Sequence, residues 1–418
     1  FDYEAIQKAA EGQIKSKGKK KSPPPPPFFL KLVSLVVLFV GARVLFPVLR
    51  SPVLPHPLEQ PYNHTQYPLV IHSSVQSDTG LIVVGEALAL PEDQALDGAI
   101  QEVRYLRASH SLLGGVWTGA RARTVDGVPP LRDSFGNPLG DSIYATFNLQ
   151  EAVRLLDLGT STPSALIIGL GVGMSTTAFI RHGVDTTIIE IDPEVYRAAR
   201  TYFGLPDPGK DRVFLEDARG WVERRAASQA KSQDAFDENS GAFDFVVHDC
   251  FSGGGVPQHL YTTEFLQHLK SIMTPGGKFV LNFVGIVDSD ATRMVYYTLL
   301  SQFKQCRAFH DSERTLTRDM YRTEFLNMVF FCTSSDAPLT FRKPNDSDFL
   351  GSYLRRHILF TLKDREVNLD LLKGNAEEQK KYILTDAHNP LGKLQEEQGA
   401  HHWEVMRMVM PDIFWETY

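Results

Sequence analysis

Cysteine is scarce in this 418-residue chain: Cys250, Cys306 and Cys332 are the only three. They lie far apart and none shares the short spacing of a zinc site, so a metal centre is not expected and no disulfide framework is implied. An excess of positive charge is also missing. Asp and Glu number 50 against 43 Lys and Arg, a formal net charge of −7. That balance argues against a nucleic-acid partner and suits a cationic one. No internal repeat is found. Apolar residues make up 43% and charged residues 22%, the usual globular range, and the length leaves room for two or three domains. The first residue is Phe1 rather than Met, so the natural start is expected upstream.

The chain changes character several times. Residues 1–27 are polar, then proline-rich, and cannot bury a core; disorder is expected there. Residues 28–49, FFLKLVSLVVLFVGARVLFPVL, have the length of a membrane span. Lys31 and Arg43 interrupt this run and are expected to snorkel; a signal anchor or a buried apolar helix is the alternative. Lys15, Lys17, Lys19, Lys20 and Lys21 place the N-terminal flank on the cytosolic side. The expectation is therefore a single-pass, endomembrane protein with its globular part across the membrane. Asn63-His64-Thr65 and Asn345-Asp346-Ser347 fit glycosylation acceptors by pattern. Residues 50–65 read as a linker, and 66–160 as a small antiparallel β-domain followed by a helix over Asp141 to Asp157. Residues 161–335 read as a Rossmann-like domain and 336–418 as a helical extension.

The centre of the chain is ALIIGLGVGMSTTAFIRHGVDTTIIEID, Ala165 to Asp192. An apolar run breaks into Gly169, Gly171 and Gly173, a helical stretch follows, and a second β-branched run ends in Glu190. This is a strand, turn, helix and parallel strand in the order of a nucleotide-binding βαβ unit. Glycines let the backbone approach a ligand closely, and an acid ending the second strand suits ribose hydroxyls. Five more strands are predicted: Arg212 to Ala218, Phe243 to Asp249, the KFVLNFV run, Cys306 to His310, and Leu326 to Cys332. Together they make seven, with helices between the first five.

In an open parallel sheet, ligands sit outside the carboxyl ends of the strands. Glu190, Asp217 and Asp249 all end strands. Glu190 is expected to hold a ribose, and Asp217, followed by small Ala218, to accept from an adenine amino group. Asp249 opens the loop DCFSGGGVPQHLY, whose glycines suit a gate or a close ligand approach. Any one of these acids could be a helix cap or a surface ion pair; three at strand ends form a pattern.

These residues resemble the class I methyltransferase fold and, within it, the spermidine synthase family. The resemblance rests on IIGLGVG, IIEID, EDA, VVHDCFSGG, YTTEFL and TPGGKFVLN, roughly Val103 to Gly285. It implies an α/β enzyme with a seven-stranded sheet behind a small antiparallel β-domain. It implies a transferase that moves an aminopropyl or methyl group from decarboxylated S-adenosylmethionine or S-adenosylmethionine to a cationic amine, without a metal and with a homodimer as the expected assembly. Tyr144 stands where the family has an aromatic in its active site, and Asp386, in TDAHNP, matches a late acidic segment. Asp249 matches the acid that orients or deprotonates the acceptor. Two positions depart from the family. Val172 stands in the glycine loop where an acid holds the donor's amine, and Ser252 replaces the second acid that grips a polyamine. These departures favour S-adenosylmethionine over its decarboxylated form, with Val172 facing the donor. They leave open a methyltransferase acting on a protein or small-molecule amine. A non-catalytic nucleoside-binding membrane protein is the remaining alternative.

Overall fold

The computed structural model describes residues 28–48, 53–90, 101–125, 127–159, 162–232, 242–251 and 255–417. The chain divides into two units, 1–52 and 53–418. In the first, Phe28–Val48 is helical. The membrane span expected there is corrected: among the described residues no helix is long and apolar enough to cross a membrane. The described side chains of this helix run from Lys31 to Arg43, both exposed. The longest uncharged run of the helix is the eleven residues 32–42 between these charges. At about 1.5 Å per residue they cover roughly half of a ~30 Å hydrocarbon layer. The membrane partner, the endomembrane location and the topology built on this span fall with it.

The second unit opens with a five-stranded antiparallel sheet, β1 (Tyr62–Asn63), β2 (Leu69–Ser77), β3 (Gly80–Ala87), β4 (Val103–Ala108) and β5 (Ser111–Trp117), each paired with the next. Alternate residues face opposite ways along a strand, and here both faces are covered. Val83, Val103 and Tyr105 pack with Phe414 and Trp415 from the C-terminal end. Val84, Leu106 and Val116 pack with Phe147, Val172 and Val195. A small hairpin, β6 (Leu131–Arg132) and β7 (Pro138–Leu139), follows.

The seven predicted strands are all present: β8 (Ser164–Ile168), β9 (Asp185–Glu190), β10 (Val213–Leu215), β11 (Phe243–His248), β12 (Met273–Ile286), β13 (Gln305–His310) and β14 (Phe325–Thr333). They form one sheet in the order β10-β9-β8-β11-β12-β14-β13. All neighbours are parallel except β14, which runs antiparallel to both β12 and β13. Apolar runs such as Ala165 to Ile168 are continuous because both faces are buried: Leu166 and Ile168 pack on one side, Ala165 and Ile167 on the other. The chain winds outward from β8 one way and from β11 the other, so the crevice lies outside the ends of β8 and β11.

Three expectations need correction. The helix read over Asp141 to Asp157 is only Thr146–Gln150 followed by a 3-10 turn, Glu151–Leu155. Ser142 and Leu156 are instead held in β-bridges to Val116 and Phe341, so extended backbone bounds the helix on both sides. β12 begins at Met273, before the predicted KFVLNFV run, with a register break against β11. Cys306 and Cys332 face each other across β13 and β14 and are joined as a disulfide with Cα atoms 4.1 Å apart. Strand register, not sequence spacing, brings them together. Residues 233–241, within the segment Ser228 to Ala242 expected as a surface insertion from its Ser, Gln, Asp and Ala content, lie outside the described residues.

Candidate active site

The crevice is built first from backbone. β8 ends at Ile168, and Gly169, Gly171 and Gly173 all take positive φ, +83°, +55° and +75°. A Cβ at Gly169 would lie 2.2 Å from the Asp249 carbonyl oxygen, and one at Gly171 2.7 Å from that of Leu113. Only glycine fits either position. Gly173 caps the Met174–Arg181 helix.

Glu190 closes β9. Its Oε2 accepts from the Leu170 N–H at 2.8 Å and its Oε1 from the Asp192 N–H at 3.0 Å. Burial pushes its carboxyl up to about 7 despite those donors. Asp192, fully buried, accepts from Ser77 Oγ at 2.6 Å and from Thr79 N and Oγ1 at 3.0 and 2.6 Å. It thereby ties the β2–β3 turn against the start of the Pro193–Tyr202 helix. Asp217 follows β10 and accepts from the Arg219 N–H at 2.9 Å and His259 Nε2 at 3.0 Å. Burial would raise its carboxyl, but His259 and the neighbouring N–H groups bring it below the ordinary carboxylate range.

Asp249 follows β11. Asn282 Nδ2, from β12, donates to its Oδ1 at 2.8 Å, and Gln150 Nε2 donates to its Oδ2 at 2.7 Å. Thr146 Oγ1 in turn donates to Asn282 Oδ1 at 3.3 Å. Burial raises the Asp249 carboxyl, with both amides opposing the shift. Sequence reasoning assigned no role to Gln150 or Asn282. A signal existed for Asn282: it is the lone amide inside an otherwise apolar, buried strand. Tyr144 completes this end, its hydroxyl 3.9 Å from Met406 Sδ and raised by burial.

A single cavity of about 790 Å³ gathers Gly169, Gly171, Glu190, Asp217, Ala218, Asp249 and Tyr144. Two candidates are not brought in. Gly173 supports the turn from behind, and Asp386 lies outside the cavity wall, where Arg219 takes its carboxylate through two bonds of 2.8 and 2.5 Å. Val172 does not face the donor either. It is fully buried and packs against Phe147, and a Cβ on Gly114 would sit 2.6 Å from its Cγ2. Ser252 lies outside the described residues. Among the described residues no group of three or more His, Cys, Asp or Glu could hold a metal ion. The remaining residues could hold an adenosyl group: a glycine turn that leaves room for it, Glu190 as a candidate acceptor for ribose hydroxyls, and Asp217 with small Ala218 lining the same cavity.

Comparison with known proteins bears on this site. The model of the spermine/spermidine synthase domain matches residues 155–304. An N-terminal histidine N-methyltransferase of Emericella nidulans is 34% identical over 370 residues, covering 86% of this chain and 61% of that protein. A polyamine aminopropyltransferase of Vibrio vulnificus is 34% identical over 119 residues, 28% of this chain and 36% of that one. The chain therefore spans less than two thirds of either relative. A probable spermidine synthase from Corynebacterium glutamicum superposes with a TM-score of 0.45 at 16% identity, covering 72% of this chain and 99% of that one. The β8–β12 core, with its glycine turn and three strand-end acids, lies within residues 155–304, the segment that matches the spermine/spermidine synthase domain.

Proposed function

We propose that this protein is a transferase that moves the methyl group of S-adenosylmethionine to an amine, and that the amine is the N-terminal amine of a polypeptide beginning with histidine. The observation that carries the reading is Asp249, one carboxylate clamped by Gln150 and Asn282 in the cavity that Glu190 also lines. S-adenosylmethionine, when bound, supplies an electrophilic methyl carbon on a sulfonium. The amine nitrogen forms the new bond to carbon as the carbon–sulfur bond breaks, and a neutral thioether leaves without needing an acid. The amine must lose one proton, and Asp249 is placed to take or orient it.

The kind of amine follows from that proton. An α-amino group has a pKa of about 8, against about 10 for an alkylamine, so one raised carboxylate has a smaller gap to bridge. The Emericella relative, similar over 86% of this chain, is named for such an acceptor. Tyr144 and Phe147 line the same cavity as Asp249, and such aromatic walls help to position an acceptor.

The second reading, aminopropyl transfer to a polyamine, is favoured by the Vibrio relative. It requires a second acid where Ser252 stands. Two measurements separate the readings. Methylation of a histidine-first peptide, abolished when its N-terminus is acetylated, supports the first. Tenfold tighter binding of decarboxylated S-adenosylmethionine, about 1.4 kcal/mol, together with putrescine turnover, supports the second.

A further inference from the structure

Across Tyr144 from the first cavity lies a second of about 730 Å³, and Tyr144 lines both. Its wall includes Trp117, Arg121, Asp141, Asp311 and Tyr353. Three carboxylates line it, and two are already taken. Asp141 accepts from the Leu354 N–H at 3.0 Å. Glu313 is held by Arg365 and His357, each at 2.8 Å. Asp311 differs. Arg365 donates to its main-chain carbonyl, to that of Ser312 and to Glu313, and among the described residues the Asp311 carboxylate has no ion pair. That carboxylate is held by Asn327, whose Nδ2 donates to Oδ2 at 2.8 Å, and by the main-chain N–H groups of Asp311 and Asn327. Asn327 also lines the first cavity. One amide thus links a carboxylate in the second cavity to the wall of the first.

We infer that the second cavity is the acceptor subsite of the proposed methyltransferase, and that Asp311 accepts a hydrogen bond from the side-chain N–H of the acceptor's first residue. This rests on the reading of a polypeptide N-terminus as acceptor. The first residue then straddles Tyr144, its α-amine toward Asp249 and its imidazole toward Asp311. The following residues run outward past Trp117 and the half-exposed Tyr353. Burial holds the Asp311 carboxyl up at about 6, and a buried acceptor with room for one more donor gains when a ligand supplies it. A site built around such a bond discriminates strongly against a similar ligand that lacks the N–H.

The test compares two pentapeptides that differ only at the first residue, histidine or phenylalanine, as methyl acceptors for the full chain. The expected result is a kcat/KM for the histidine peptide at least tenfold above that for the phenylalanine peptide. Asp311→Ala should bring the ratio close to one with S-adenosylmethionine affinity unchanged, and Asp311→Asn, which keeps an acceptor oxygen, should restore part of it. A ratio near one in the unsubstituted chain, or a ratio that survives Asp311→Ala, overturns the inference and leaves the methyltransferase reading standing. No turnover of either peptide by the unsubstituted chain overturns both. If Asp311→Ala no longer binds S-adenosylmethionine, Tyr353→Ala on the outer wall decides. It should raise KM several-fold for the histidine pentapeptide and not for a histidine dipeptide, and equal effects on the two peptides refute the subsite.

Discussion

The Glu190 carboxyl gives the sharpest handle on the adenosyl site. Without ligand it is buried and raised to about 7, held by the main-chain N–H groups of Leu170, Ile191 and Asp192. Ribose hydroxyls would add donors to the ionised form and lower it again. Binding should therefore release a proton near neutrality, and affinity should rise with pH. With a free-state value of about 7, the ionised fraction grows from roughly a tenth at about pH 6 to roughly nine tenths at about pH 8. The affinity gain is then about tenfold, or about 1.4 kcal/mol. The probe should be 5′-methylthioadenosine, which has the ribose and adenine but neither the amine nor the carboxylate of the full donor. Calorimetry in buffers of different ionisation enthalpy reads the affinity and the proton release together. Glu190→Gln should bind more weakly and without pH dependence, which separates this carboxyl from the neighbouring Asp217–His259 pair. The sign for stability is opposite. A raised carboxyl contributes stability that is complete below about pH 4.5 and lost as pH rises through about 7, so the melting temperature of the free chain should fall over that window and that of Glu190→Gln should not. An affinity that stays flat from about pH 6 to about pH 8, with no proton release, would refute the placement of Glu190 at the ribose.

Three further outcomes are expected. Asp249→Asn should lower turnover by roughly 10²–10⁴-fold in single-turnover assays, while calorimetry shows little change in adenosyl binding; loss of both would mean that Asp249 acts structurally. Val172→Asp should lower the melting temperature by the cost of burying an unpaired carboxylate among Val84, Leu106 and Phe147, with no gain in affinity for decarboxylated S-adenosylmethionine; a tenfold gain at unchanged melting would place residue 172 beside the donor. Replacing both Cys306 and Cys332 by Ala should cost about 2–4 kcal/mol in denaturant unfolding, and an unchanged midpoint would remove the disulfide from the stability of β13 and β14.

Much of the fold was legible because the main signals are local. Strands such as β8, β11 and β14 are apolar runs, and covering both faces makes such runs continuous. The three strand-end acids were legible for the same reason: an acid that ends a strand of a parallel sheet has one place to go, the crevice at the carboxyl ends. What depends on register was not legible. Cys306 and Cys332 are 26 residues apart in sequence and become neighbours only because β13 and β14 pair antiparallel in one particular alignment. The membrane expectation weighed length over charge, although Lys31 and Arg43 leave only a short uncharged stretch between them.

Direction of side chains was the other thing a string of letters does not carry. Val172 sits in the motif position that predicts contact with the donor, yet it lies between two glycines of positive φ, and such a turn aims its side chain by backbone torsions rather than by motif position. Gly114, on β5, takes φ +136° and leaves the space that Val172 fills. The position thus works as a plug between the small sheet and the cofactor domain. A carboxylate there would have to leave that plug before it could reach a donor amine. Asp386 shows the converse. It belongs to a segment that resembles a family motif, but Arg219 takes it on the outer side, because Arg219 begins the helix after Asp217 and points away from the cavity. Motif position therefore identifies candidates, and the neighbours that compete for each side chain decide which of them face the ligand. Asp249 remains in the cavity because its neighbours are amides: Gln150 and Asn282 orient its carboxylate without neutralising it, and a carboxylate held by an arginine would have lost the capacity to take a proton that the chemistry needs.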